Sequence, residues 1–257
     1  FFSKRKEDSP AHTNPDEIRG SCAMVKKIVP IFIAAVLTAL WLGGGEAVPV
    51  DSGAEIPAGE KYVALTFDDG PRRGTTDRLL DGLKERNARA TFFLIGRQIE
   101  DHADLVVRML EEGHQIGNHT WNHQKLEGKE DLECEVRLTE NALEKLLGGG
   151  SYWLRPPYGY MGEGTEASFG VPLVKWSVDP RDWESRDAEK VTQAILGAVK
   201  PNSIILLHDI YPTSVDAALR VVDRLQEEGY WFVTVEELLW LNGVKPEAGK
   251  MYRTGGG

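Results

Sequence analysis

The sequence has 257 residues, with 30 Lys and Arg against 40 Asp and Glu, and its formal net charge of −10 argues against a protein that grips a phosphate backbone. Hydrophobic residues at 41% and charged residues at 27% are those of a globular chain and exclude a disordered, collagen-like or multi-span membrane protein. Cys22 and Cys134 are too few for a disulfide scaffold or a cysteine-rich zinc module, so any metal must be held by His and carboxylates.

Residues 1–23 are polar and without period. After Met24 come Lys26 and Lys27, an apolar run from Ile28 to Leu42 and the small-x-small stretch Gly45-Glu46-Ala47. This is the layout of an export signal cleaved after Ala47, with translation starting at Met24 and residues 1–23 outside the native protein. The apolar run is shorter than the roughly 20 residues that span a bilayer, which favours cleavage over anchoring. The expectation is an exported, monomeric protein whose membrane contact is confined to residues 28–42. Residues 48–60 read as a linker, 61–241 as the folded domain and the Gly-rich 242–257 as a flexible tail.

From Tyr62 short apolar runs alternate with longer amphipathic ones, the pattern of successive βα units and a mainly parallel sheet. Strands are expected at Tyr62–Phe67, Ala90–Leu94, Gln115–Gly117, Tyr152–Leu154, Leu173–Ser177, Ser203–Leu207 and Trp231–Val233. The intervening helices are Thr76–Arg86, Leu105–Glu112, Lys129–Leu147, Ala188–Val199 and Ser214–Glu228, with a last one at Val235–Leu241. In Ser214–Glu228 the apolar residues Val215, Ala218, Leu219, Val222 and Leu225 recur at three and four. This predicts an α/β fold, an incomplete (β/α) barrel rather than a flat doubly wound sheet. No GxGxxG follows the first strand, so a dinucleotide-binding fold lacks its main signal.

Five of these strands run into polar clusters: Thr66-Phe67-Asp68-Asp69-Gly70-Pro71, His119-Thr120-Trp121-Asn122-His123, Arg155-Pro156-Pro157-Tyr158-Gly159, Asp179-Pro180-Arg181-Asp182-Trp183 and Leu206-Leu207-His208-Asp209. In a parallel barrel all carboxyl ends open on one face, where active sites are built. Asp-Asp-Gly-Pro alone is also a good turn sequence. His119 and His123 are four apart, so one helical turn would put both on one face, and either Asp69 or Asp68 completes two imidazoles and a carboxylate around a metal with an open position. Such a site lowers the pKa of a water and polarises a carbonyl; a neighbouring carboxylate takes the water's proton and a separate histidine protonates the leaving group. Asp68 and His208 suit those two roles, and the backbone N–H groups of the Tyr158 turn suit an oxyanion. Arg155 is then expected to keep the base ionised, and Asp179 to orient and charge His208. His102 and His114 have no ligand neighbours and read as structural. The reaction class is metal-assisted hydrolysis of an amide or ester.

The set closely resembles the polysaccharide deacetylases with a NodB homology domain, carbohydrate esterase family four. TFDDG at Thr66–Gly70, H-[ST]-x-x-H at His119–His123, RPPYG at Arg155–Gly159, D-x-x-D-W at Asp179–Trp183 and L-x-H at Leu206–His208 appear in order across Lys61–Leu239. The resemblance implies a distorted (β/α)₇ barrel that removes N-acetyl groups from amino sugars. It implies Asp68 as base, Asp69, His119 and His123 as ligands of Zn²⁺ or another divalent ion such as Co²⁺ or Mn²⁺, and His208 as acid. The Tyr158 backbone would be an oxyanion donor, and Trp183 and Leu206 would line the acetyl-methyl pocket. The arginine that pairs with the base is Arg155 or, opening the second strand, Arg89. Peptidoglycan is the expected glycan, with chitin oligosaccharides as the main rival and acetylated xylan a weaker one. Trp121, Tyr158, Tyr160 and Trp183 are candidate sugar-stacking aromatics, which keeps a non-catalytic glycan-binding module as a second class. A sugar epimerase or isomerase on a full barrel leaves the paired aspartates without a role.

Overall fold

The computed structural model describes residues 60–124, 129–162 and 166–256. The expected upstream segment, the export signal and all but the last residue of the linker lie outside them. No helix among the described residues is long and apolar enough to cross a membrane.

The first strand, β1 (Lys61–Asp68), is buried along its length after Lys61 and is the centre of a parallel sheet. Its neighbours are β2 (Ala90–Leu94) on one side and β5 (Ile204–His208) on the other, while β6 (Tyr230–Phe232) pairs with its first three residues. β3 (Gln115–Asn118) pairs with β2, and β4 (Leu173–Val174) with β7 (Met251–Tyr252). Bridges at Leu154 and Val178 carry the hydrogen bonding onward. Asn118 donates to the Trp153 carbonyl at 2.8 Å, Val174 to Leu154 at 2.9 Å and Leu206 to Val178 at 2.9 Å. The strands thus follow one another around a distorted parallel barrel.

Residues alternate strictly between the two faces of the sheet. Leu65, Phe67, Phe92, Leu94, Ile205 and Leu207 point outward into the layer shared with the helices. That layer is closed by α1 (Thr76–Glu85), α2 (Ala103–Glu111), α3 (Lys129–Leu147), α5 (Ala188–Ala198) and α6 (Pro212–Glu227). Between the bridging residue Val178 and α5 lies the one-turn α4 (Asp182–Ser185). Asp187 caps α5 by accepting from Glu189 and Lys190 N–H, and Thr234 with Glu237 forms a capping box on α7 (Val235–Leu241). The inward face of β1 is different: Ala64 packs in a second apolar cluster with Phe93, Trp153 and Ile204, and Thr66 and Asp68 follow it at two-residue steps toward the carboxyl end.

Three expectations are corrected. The strand at Tyr152–Leu154 shrinks to the bridging residue Leu154, because Pro156 and Pro157 just beyond it have no N–H for a ladder. The strand at Leu173–Ser177 is two residues long, with Val178 rejoining the sheet by itself. The tail is part of the fold: Met251–Tyr252 forms β7, Tyr252 is fully buried against Trp153, and Gly255 donates to the Asn202 carbonyl. A Tyr in a stretch of Gly, Lys and Glu carries no periodicity, so only its burial reveals the anchor.

Candidate active site

The register of the sheet brings the first parts together. Asp68 and His208 end β1 and β5 as directly paired residues, so both side chains emerge at the same height on the inner face. Thr66 and Leu206 form the pair one step below; Leu206 is 4% exposed and lies under the site. Arg155 follows the Leu154 bridge and is fully buried, with its guanidinium carbon 4.1 Å from the centre of the Phe93 ring. It donates to Asp68 Oδ1 and Thr66 Oγ1, both at 2.7 Å, and to the Lys175 carbonyl at 3.0 Å. Burial alone would raise the Asp68 carboxyl, but the charge of Arg155, with His119 and His208, outweighs it and holds Asp68 below the usual carboxylate range. Arg89, the alternative partner, is ion-paired with Glu237 instead.

Asp69, His119 and His123 converge beside this pair. One ligand atom from each lies within 4.8 Å of the others. His119 Nε2 and His123 Nε2 stand 3.6 and 3.4 Å from Asp69 Oδ1, a buried oxygen with no hydrogen-bond partner among the described residues. The Arg155 carbonyl can only accept, so His119 Nδ1 must donate across their 2.7 Å contact, and Nε2 is the ring nitrogen that faces Asp69. Burial, with His119 alongside, pulls His123 down to about 4, so its ring is neutral at neutral pH. Two imidazole nitrogens and an orphaned carboxylate oxygen suit a divalent ion with an open coordination position.

The histidine pair does not sit on a helix. The loop brings the two rings to 4.8 Å between centroids through left-handed backbone at Thr120 (φ 67) and His123 (φ 56). It is held by Thr120 N–H on Asn118 Oδ1 and Asn122 N–H on Glu135 Oε2. Asp69 (φ 73) and Tyr158 (φ 59) are left-handed too, so strained backbone gathers around one point, as it does where geometry is over-determined by its surroundings.

The partner of His208 is not Asp179. Asp179 is exposed and accepts the Arg181 N–H. Asp182, fully buried at the start of α4, takes His208 Nδ1 at 2.9 Å on one oxygen and, on the other, His208 N–H at 2.8 Å and the Ser214 hydroxyl at 2.6 Å. In D-x-x-D-W the second aspartate lies within the one-turn helix and faces β5; the first caps the preceding turn. Burial lowers the His208 pKa, but the Asp182 hydrogen bond and charge, with Asp68 and Asp69, more than reverse this and raise it to about 9. Beyond His208, the fully buried Asp209 accepts from Thr76 Oγ1 and packs against Gly70, where a Cβ would run into its carboxylate. Burial pushes Asp209 up to about 7. Sequence reasoning passed over both aspartates, although each adjoins a residue it had singled out.

The aromatic rim divides. Tyr158 is 64% exposed with its ring 4.8 Å from that of His123, and Tyr160 and Trp183 are exposed as well. Trp121 is half-buried, its ring packed where a side chain on Gly96 would be. His102 and His114 are structural in position: His102 Nδ1 meets the Gln98 carbonyl, and His114 Nδ1 accepts Ala90 N–H inside the core.

Residues 55–170 match the family described as Polysaccharide deacetylase. The chain is 38% identical over 202 residues to the peptidoglycan-N-acetylglucosamine deacetylase PgdA of Listeria monocytogenes, across 77% of this chain and 43% of that one. It is 40% identical over 172 residues to a chitooligosaccharide deacetylase of Sinorhizobium fredii, across 63% of this chain and 80% of the other. Among solved structures, a family 4 acetyl xylan esterase from Clostridium thermocellum in complex with a cobalt ion matches with a TM-score of 0.71 at 32% identity, over 76% of this chain and 98% of that one. The chain spans less than half the length of PgdA. Motifs, α/β architecture and these likenesses agree: the chain belongs to the polysaccharide deacetylase family.

Proposed function

We propose that this chain is a metal-dependent hydrolase that removes N-acetyl groups from N-acetylglucosamine-containing polysaccharide, with peptidoglycan as the substrate. The observation that carries the reading is the convergence of Asp69, His119 and His123 beside an arginine-paired Asp68 and an aspartate-paired His208. Zn²⁺, or another divalent ion such as Co²⁺ or Mn²⁺, held by those three residues would polarise the acetyl carbonyl and lower the pKa of a water.

The remaining work falls to the chain. Asp68, kept ionised by Arg155, takes a proton from the water as its oxygen bonds to the acetyl carbon. His208, charged and oriented by Asp182, gives its proton to the amide nitrogen as the C–N bond breaks, leaving acetate and a free amine. The Tyr158 backbone N–H is assigned to the oxyanion, and Trp183 and Leu206 to the acetyl methyl group. Residues 24–47 support export, so the enzyme would act outside the cytoplasmic membrane, as a monomer. Likeness to the Sinorhizobium fredii protein supports chitin oligosaccharides as the second reading. Acetate release from peptidoglycan, chitin oligomers and acetylxylan, each with and without chelator, tests both class and substrate. Release from none of them would refute the hydrolase reading, and a glycan-binding module would then bind without turnover.

A further inference from the structure

The chain is acidic, and its arginines are mostly spent on its own carboxylates: Arg78 pairs with Asp216, Arg86 with Asp223 and Arg108 with Asp81. Arg72 and Arg186 are exceptions. Both are exposed, and neither has a carboxylate within ion-pair distance among the described residues. They come from separate loops, after β1 and after α4, yet both reach the Ile210-Tyr211 segment. The Arg186 guanidinium carbon lies 3.4 Å from the centre of the Tyr211 ring, and its Nε donates to the Trp183 carbonyl at 2.6 Å. Arg72 Nη1 donates to the neighbouring Ile210 carbonyl at 3.2 Å. The Tyr211 ring is 6.3 Å from that of His208, and Ile210 is two residues beyond that histidine, so both guanidiniums lie on the His208 side of the site. The nearest carboxylates of the site are already engaged. Asp69 faces His119 and His123, and Asp182 is saturated by His208 and Ser214. Arg186 is the left-handed residue (φ 49) that ends α4, and its N–H donates to the Asp182 carbonyl at 3.1 Å.

We infer that Arg72 and Arg186, arranged about Tyr211, form a subsite for a carboxylate on a sugar adjoining the one that is deacetylated, such as the lactyl carboxylate of a muramyl residue. Guanidinium forks with unused N–H donors are suited to a carboxylate, and a neutral glycan offers them none. The inference rests on the deacetylase reading and narrows it to acid-bearing glycans over chitin.

The test is steady-state acetate release by the zinc-loaded full chain. Its substrates are a tetrasaccharide alternating N-acetylglucosamine with N-acetylmuramic acid, the same compound with its carboxylates methyl-esterified, and chitotetraose. The parent protein should prefer the free acid, through KM and more at low salt than at high salt. In Arg72→Gln/Arg186→Gln the ratio of kcat/KM for free acid over chitotetraose should fall about three- to tenfold, the range expected of exposed charge pairs. Methyl esterification should lower the parent's ratio by the same factor and leave the double variant's ratio unmoved. A ratio that is the same in parent and variant, or a preference that survives esterification, overturns the subsite. Absence of acetate from every substrate refutes the deacetylase reading itself, so the two failures are distinguishable.

Discussion

Arg155 Nη1 lies 2.7 Å from Asp68 Oδ1, both side chains are buried, and the guanidinium lies over the Phe93 ring. Removing one member of a buried ion pair leaves the other uncompensated, at a cost of about 3–5 kcal/mol. Arg155→Met should lose about that much stability in urea unfolding as well as most of its acetate release. Arg155→Lys should not restore activity, because a single ammonium cannot reach Asp68, Thr66 and the Lys175 carbonyl together.

Asp182 and Asp179 separate by kinetics. Asp182→Asn removes the charge that orients His208 and should lower kcat by roughly 100-fold or more, the scale of a lost general acid. It should also move the alkaline limb of the pH–rate profile to lower pH. Asp179→Asn removes only an exposed charge, leaves an oxygen to accept the Arg181 N–H, and should move neither.

The His208–Asp182 pair also predicts a pH dependence of stability. The folded pKa of His208 is raised from 6.5 to about 9, so folding favours its protonated form. Its contribution is fully present below pH 6.5 and is lost as pH rises through about 9. With chelator present, the Tm advantage of the parent over His208→Gln should be largest near pH 6 and shrink steadily toward pH 9.

Tyr252 tests the tail. A fully buried aromatic cut back to alanine costs about 3–5 kcal/mol, and Tyr252→Ala should lose stability on that scale. If 251–252 were loosely attached, denaturant midpoints of parent and variant would coincide.

What was legible in the sequence followed from period and spacing. The short apolar runs of β1, β2 and β5 and the amphipathic stripe of α6 located the barrel, and polar residues at strand ends located the site. Burial and loop geometry were not legible. His119 and His123 meet across a left-handed loop rather than a helical turn, Asp182 rather than Asp179 faces β5, and Tyr252 is an anchor inside a stretch that reads as a flexible tail. Each depends on contacts between residues far apart in the chain, which no local pattern encodes.

The central claim is that Asp69, His119 and His123 hold the metal on which hydrolysis depends, while Asp68 acts beside it without being needed to bind it. The most direct measurement is bound metal and acetate release, determined together after zinc loading, in parent, Asp68→Asn and His123→Ala. Parent protein should bind one ion and release acetate; Asp68→Asn should bind the ion and release almost none; His123→Ala should bind weakly and release almost none. Acetate release at the parent rate by His123→Ala freed of metal would contradict the account.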